Sequence, residues 1–370
     1  MHPDVKVLKA PLVLILAGGA GTRFWPASRR AAPKHVLGLG PDGTSLLKAT
    51  IDRCLRFVHN SRVHVITTPD QVEIVGPECE AIPRENIFVE PAPRNTAPAI
   101  ALGLVALSRR GGGPHDPVVI LPADAWVDDD EAFKLAMRRA VGVARSEKTI
   151  VTLGVPPDRA ATGYGYLELG DPLGSHVGGE IPVRAVTRFH EKPDAATAEA
   201  YLASGNHLWN AGIFVGRLGY LWYVMGAVRE DLDVAMQIFG AILEEPDQSA
   251  LPEEYAKLES ISFDHAVMEQ APSVHAVEVG FRWSDLGDWH AVGQALDEVD
   301  GGRGLADRVV AVDAKDNVVF APGKTVALLG VEGLVVVAHG DEILVAPRGR
   351  AQDVRDVVAT LEDGGAEELL

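Results

Sequence analysis

Two cations and a run of glycines near the N-terminus are the residues best placed to handle phosphate. The apolar run Pro11-Leu12-Val13-Leu14-Ile15 leads into Leu16-Ala17-Gly18-Gly19-Ala20-Gly21-Thr22-Arg23, and Pro33-Lys34 follows. A buried strand that ends in a glycine-rich turn lets backbone N–H groups approach phosphate oxygens, and Arg23 and Lys34 add fixed positive charge. The pattern predicts a triphosphate-handling turn. Two common glycine motifs do not account for it. A dinucleotide fingerprint read from Gly19 needs glycine where Phe24 stands, and a P-loop needs four residues between its glycines followed by Gly-Lys-Ser/Thr.

Carboxylates come next. In Leu121-Pro122-Ala123-Asp124 an acid follows an apolar strand directly, where it could also cap a following helix. Arg282-Trp283-Ser284-Asp285-Leu286-Gly287-Asp288-Trp289 places Asp285 in a turn after a second apolar run. Oxygens from two distant segments meeting over a triphosphate suit Mg²⁺, which is usually held by one or two carboxylates plus substrate phosphates. In Phe189-His190-Glu191-Lys192-Pro193, alternation along an extended segment predicts that Glu191 and Lys192 point to opposite sides, although a structural ion pair is the other reading. Lys192 suits a sugar phosphate and Glu191 sugar hydroxyls. Asn210, beside Gly212, offers an amide that donates and accepts, and Thr162-Gly163-Tyr164-Gly165-Tyr166-Leu167-Glu168 is a loop of two glycines and two aromatics. The rigid stretch Glu90–Ala99 predicts a helix capped by Asn95 or Thr96, against which a nucleobase could bond Asn95 or Glu90. The 12 histidines show neither H-x-x-x-H nor a Cys/His cluster, so no zinc site is expected.

The elements that must position these groups alternate. Apolar runs at Leu12–Leu16, Val63–Thr67, Val118–Leu121, Ile150–Val155, Val183–Phe189, Gly212–Gly216 and Val274–Val279 read as strands. Helical spacing at Thr96–Arg110, Glu131–Arg145 and Ala195–Ser204 lies between them. This order predicts an α/β fold: a Rossmann-like core with a mainly parallel sheet, covered by helices and binding ligand beyond the strands' carboxyl ends. After a helix near Trp289–Leu296, short β-rich runs at Arg308–Val312, Asn317–Phe320, Thr325–Leu329, Leu334–Ala338 and Glu342–Ala346 precede a helix near Gln352–Leu361. The division expected is a catalytic domain over 1–290 and a small β domain with a terminal helix over 300–370. So few residues build a meagre core alone, so the small domain should pack on the main body or on a second copy, and a homodimer is expected.

The formal charge of −18 argues against nonspecific binding to nucleic acid or to an anionic membrane. Two cysteines, Cys54 and Cys79, neither form a disulfide framework nor sit at metal spacing, and no signal peptide or apolar span is evident; a cytoplasmic location is expected.

Taken together, A-G-G-x-G-T-R-x-W-P…P-K, Glu90–Ala99, Pro122–Asp124, Thr162–Glu168, Glu191-Lys192-Pro193, Trp209–Phe214, Phe263–Glu269 and Trp283–Trp289 resemble the sugar-1-phosphate nucleotidyltransferases, and within them the bacterial mannose-1-phosphate guanylyltransferases. The resemblance implies a nucleotidyltransferase core followed by a short β-helix-like domain. It implies GMP transfer from GTP to α-D-mannose 1-phosphate, with GDP-mannose and pyrophosphate as products and Mg²⁺ as cofactor. Carried onto this chain, it assigns catalysis to Arg23, Lys34, Lys192 and Asp285. Nucleotide binding falls to Leu16, Ala17, Gly18, Gly19, Gly21, Thr22, Glu90, Asn95, Thr96 and Asp124. Sugar-phosphate binding falls to Gly165, Glu191, Lys192 and Asn210, and metal binding to Asp124 and Asp285. The chain departs from the family pattern at Ala20, at His35 and Val36 after the lysine, and at Ala125 after the aspartate.

Overall fold

The computed structural model describes residues 9–366 and Leu369, apart from residues 20, 30, 31, 41, 42, 174–180, 297 and 300. The Ala20 departure lies outside the described residues.

Strands β1 (Leu12–Ala17), β2 (Val63–Thr67), β3 (Ile87–Val89) and β4 (Pro117–Pro122) run parallel in the order β3-β2-β1-β4. β1 is apolar along its whole length because both its faces are covered. Val13 and Ile15 pack with Phe133 and Met137 of the helix Asp130–Ser146, while Leu12 and Leu14 pack with Ile100 and Leu104 of the helix Thr96–Arg109. The Asp130–Ser146 helix is capped by Asp129, whose carboxylate accepts from Glu131 N and Ala132 N at 3.0 and 2.9 Å. Asp124 therefore does not cap it.

After β5 (Trp126–Val127), the main sheet grows by β6 (Ile150–Val155), β7 (Tyr166–Pro172), β8 (Val183–His190), β9 (His207–Arg217) and β10 (Val274–Glu278), giving nine strands in the order β3-β2-β1-β4-β9-β6-β10-β8-β7. Only β8 and β9 run against the rest. β7 pairs with β9 as well as with β8, so β9, β6, β10, β8 and β7 close into a ring. That closure brings the end of β8, through β7, back to β9, and it decides where Glu191 and Asn210 sit relative to each other.

A short β11 (Trp283–Ser284) pairs with β5, and the helix Trp289–Ala295 leads to β12 (Glu298–Val299), β13 (Gly302–Val312), β14 (Asn317–Leu329), β15 (Leu334–His339) and β16 (Glu342–Pro347). β13, β14 and β15 are parallel neighbours joined by only a few residues. A flat sheet would need a long crossover between parallel strands, so the chain coils instead. The runs Asn317–Phe320 and Thr325–Leu329, expected as two strands, form the single strand β14, whose register slips opposite Ala306 and Arg308, where Pro322-Gly323 lets it bend. This coil does not stand alone. Phe24, Trp25 and Trp289 share a core with Val318, Phe320, Val335 and Val358, and the Trp289 indole donates to Trp25 O at 3.2 Å. Among the described residues no helix is long and apolar enough to cross a membrane.

Candidate active site

β1 ends at Ala17, so Leu16 and Ala17 reach the site through their backbones, and Leu16 O accepts from Ala123 N at 2.9 Å. This bond ties the glycine turn to the Asp124 loop. At Gly18 a Cβ would come within 3.2 Å of Glu90 Oε1. Gly21 has φ +64°, and a Cβ there would stand 2.6 Å from Lys34 Cβ. Glycine at 21 thus serves both a left-handed backbone and close approach to Lys34. Arg23, in the turn Thr22–Phe24, is exposed.

Lys34 is buried. Its ammonium donates to Asp124 Oδ2 at 2.7 Å and to Asp285 O, above the Phe24 ring. One side chain thereby joins three segments that are far apart in sequence. Burial by itself would raise the Asp124 carboxyl, but the charge and hydrogen bond of Lys34, helped by His35, hold it below the ordinary carboxylate value. Asp285 moves the other way, raised by burial and by the negative charge of Asp124 against the pull of Lys34. Burial and the neighbouring charge of Asp285 push the ionisation of Tyr164 upward, and its hydroxyl accepts from the Arg159 guanidinium at 3.2 Å. His35, which stands where the family pattern has glutamine, is buried and held neutral by desolvation, its pKa lowered to about 4.

The residues expected on the sugar side, Gly165, Glu191 and Asn210, line a pocket of about 180 Å³ together with Asp124, Asp285 and Asp264. Asn210 lies inside β9, where its Oδ1 accepts from Thr152 Oγ1 at 2.8 Å and its Nδ2 donates to Asp264 Oδ1 at 2.8 Å. Those partners fix the amide's orientation. Asn210 N donates to Gly165 O at 2.8 Å, and a Cβ on Gly165 would fall 2.7 Å from Glu191 Oε2. The expectation that Glu191 and Lys192 point apart does not hold. β8 ends at His190 and Lys192 takes φ +46°, so the chain leaves the extended conformation and the Lys192 ammonium folds back onto Glu191 Oε1. Lys192 remains largely exposed and Glu191 largely buried.

The residues expected on the base side each take a different partner. Glu90 is buried beside Gly18, accepts from Tyr255 Oη, and is raised to about 7 by desolvation, with that hydrogen bond opposing. Asn95 caps the Thr96–Arg109 helix, accepting from Thr96 N at 2.8 Å with φ +65°. Thr96 Oγ1 accepts from Phe263 N at 2.8 Å, which anchors the segment carrying Asp264.

Residues 12–300 match the nucleotidyl transferase family and residues 307–361 the mannose-phosphate isomerase/GMP-like beta-helix domain. A mannose-1-phosphate guanylyltransferase of Escherichia coli (strain K12) is 34% identical over 96% of this chain and 74% of its own length. One from Salmonella typhimurium has the same identity and coverage. The chain belongs to the mannose-1-phosphate guanylyltransferases. A solved structure from Thermus thermophilus, titled a mannose-1-phosphate geranyltransferase, is 34% identical with a TM-score of 0.85, spanning 96% of this chain and 100% of that one. The α/β core with its C-terminal β-helix-like domain is the architecture of this family.

Three members of the site carry no residue-level signal of their own in the sequence. Tyr255 donates to Glu90 and Asp264 accepts from Asn210, while Tyr164 lines the same pocket as Asp285. Asp264 stood within the Phe263–Glu269 stretch of the family resemblance. It lines the pocket with Glu191 and Asn210, and burial with Glu191 nearby raises its carboxyl to about 6.

Proposed function

We infer that this chain transfers GMP from GTP to α-D-mannose 1-phosphate, releasing pyrophosphate and forming GDP-mannose. The observation that carries the reading is one pocket in which the Asp124 and Asp285 carboxylates face Glu191 and Asn210, beside a glycine turn joined to it by Lys34. An oxygen of the sugar phosphate attacks the α-phosphorus and pyrophosphate leaves in line. A phosphate monoester is already largely dianionic near neutral pH, so the site needs no strong general base. Its residues supply position and charge. The backbone of Leu16, Ala17, Gly18, Gly19, Gly21 and Thr22 takes the nucleotide, and Arg23 meets its phosphates from the exposed face of the turn. Glu90, Asn95 and Thr96 form the base side. Glu191 and Asn210 receive sugar hydroxyls, Gly165 leaves them room, and Lys192 meets the sugar phosphate.

The donor set fits a divalent cation. Asp124 and Asp285 line one pocket, Asp285 feels the charge of Asp124, and the Lys34 ammonium partly neutralises both. Mg²⁺ held by these two carboxylates would offset phosphate charge. The catalytic unit corresponds to residues 1–290 and the small β domain to 300–370, in the cytoplasm. The β domain leaves Val312, Leu329, Ile343 and Val345 exposed, which supports a homodimer formed through it.

The deciding experiment is pyrophosphate release from GTP, ATP, UTP or dTTP paired with mannose or glucose 1-phosphate. The fastest pair is GTP with mannose 1-phosphate. Equal or better rates with UTP or dTTP and glucose 1-phosphate overturn the reading. In the same assay Lys192→Ala chiefly weakens use of mannose 1-phosphate, and Lys34→Ala depresses turnover with GTP.

A further inference from the structure

Three neighbouring strands place Glu168, His190 and His207 on one face of the ring. Glu168 of β7 is directly paired with His207 of β9, while His190 of β8 pairs with Tyr166, two residues from Glu168 and on the same face. A nitrogen from each imidazole and a carboxylate oxygen of Glu168 all lie within 4.8 Å of one another, and His190 Nε2 stands 3.8 Å from Glu168 Oε2.

We propose that Glu168, His190 and His207 form a second metal site, separate from the Asp124–Asp285 pair, that takes a borderline divalent transition ion of which Zn²⁺ is the representative. Two imidazoles and one carboxylate are a nitrogen-rich donor set that suits zinc, cobalt or nickel, whereas magnesium takes oxygen ligands. Three protein ligands leave a position for water, and the half-exposed Glu168 side chain keeps the site open to it.

The surroundings aim one imidazole at this point. Ser204 Oγ lies 2.7 Å from Tyr201 O and 2.9 Å from His207 Nδ1. With the hydroxyl proton on the carbonyl, Ser204 accepts from Nδ1–H of His207, and in that tautomer the Nε2 lone pair is left for an ion. The ring is held in place by stacking on Tyr201, with centroids 4.1 Å apart and planes 18° apart. A hydrogen bond behind a ligating imidazole fixes tautomer and direction in this way.

The location gives the ion a consequence. His190 directly precedes Glu191, and His207 stands three residues before Asn210. An ion here would pin together the three strands from which the sugar-side groups project. The sequence spacing pointed away from zinc because its two histidines meet across a sheet, not along a helix.

The test titrates metal-free, full-length protein with Co²⁺ and follows visible absorption. One equivalent is expected to give the strong d–d bands of a low-coordinate, nitrogen-containing site, and Zn²⁺ is expected to displace it and to raise the melting temperature. The bands persist in the Asp124→Asn/Asp285→Asn double variant and disappear in His207→Asn. Because His207 is buried, His190→Asn provides the same test at a partly exposed position. Ser204→Ala keeps the ligands and weakens cobalt binding by about 10–100-fold. The proposal is overturned if the wild-type protein takes up no stoichiometric cobalt, if both histidine variants bind as the wild type does, or if the bands are lost in the aspartate variant instead.

Discussion

Replacing Gly165 with alanine separates recognition of the sugar from stability of the fold. Gly165 is buried, and it is not among the glycines with positive φ, so alanine meets no backbone penalty there. Its Cβ would lie 2.7 Å from Glu191 Oε2 and 3.0 Å from Phe189 Cζ. The nearer atom is the tip of a flexible side chain, so the carboxylate is the group that gives way. Relief by rotating Glu191 keeps the loss of stability near the low end of the overpacking range, about 1 kcal/mol. A sugar hydroxyl that donates to Glu191 loses a hydrogen bond to a charged acceptor, which is worth about 1.5–3 kcal/mol and so about 10- to 150-fold. Steady-state pyrophosphate release should therefore show kcat/KM for mannose 1-phosphate falling by about that factor, with the KM for GTP little changed. Glu191→Ala should match it, and the Gly165→Ala/Glu191→Ala double variant should be no worse than either alone, because both remove one contact. Wild-type kinetics in Gly165→Ala, or full additivity in the double variant, would refute the reasoning.

Asp124→Asn and Asp285→Asn should each cost several kcal/mol of transition-state stabilisation, and their combination well under the sum, since groups on one ion act as a unit; turnover measured against Mg²⁺ concentration checks this, and normal turnover in Asp285→Asn removes the metal assignment. Glu90 has its folded pKa raised to about 7 from 4.5, so between those values the folded protein holds more protons than the unfolded chain and this group's contribution to stability falls as pH rises. Glu90→Gln should flatten that dependence and stabilise the protein at pH 8, an effect on the order of 3 kcal/mol if the whole shift is realised; denaturant melts across the range test it, and an unchanged pH profile counts against the burial argument. Light scattering should give twice the monomer mass, and charged substitutions at Leu329 and Ile343 should lower it, whereas a monomer at high micromolar concentration removes the dimer.

The glycine turn, the strands at Val63–Thr67 and Ile150–Val155 and the helix at Ala195–Ser204 could be read directly from the chain, and the bounds of those strands and that helix agree with the structure. Apolar periodicity and turn chemistry are local properties, so a local pattern is enough to specify them. The family signature likewise resides in short contiguous stretches. Partnerships across the sheet are a different matter. Lys34 meets Asp124 because β1 and β4 are neighbours, and Asn210 meets Gly165 because β7 pairs with β9 as well as with β8. Alternation along Glu191-Lys192 misled because it presumes an extended chain, and the left-handed turn at Lys192 begins where β8 stops. The Glu168–His190–His207 cluster has no spacing that could reveal it, because ring closure alone sets its register. Local composition determined which groups are present and which elements carry them. Strand order and closure, set by the burial of apolar faces far apart in sequence, decided which of those groups face one another.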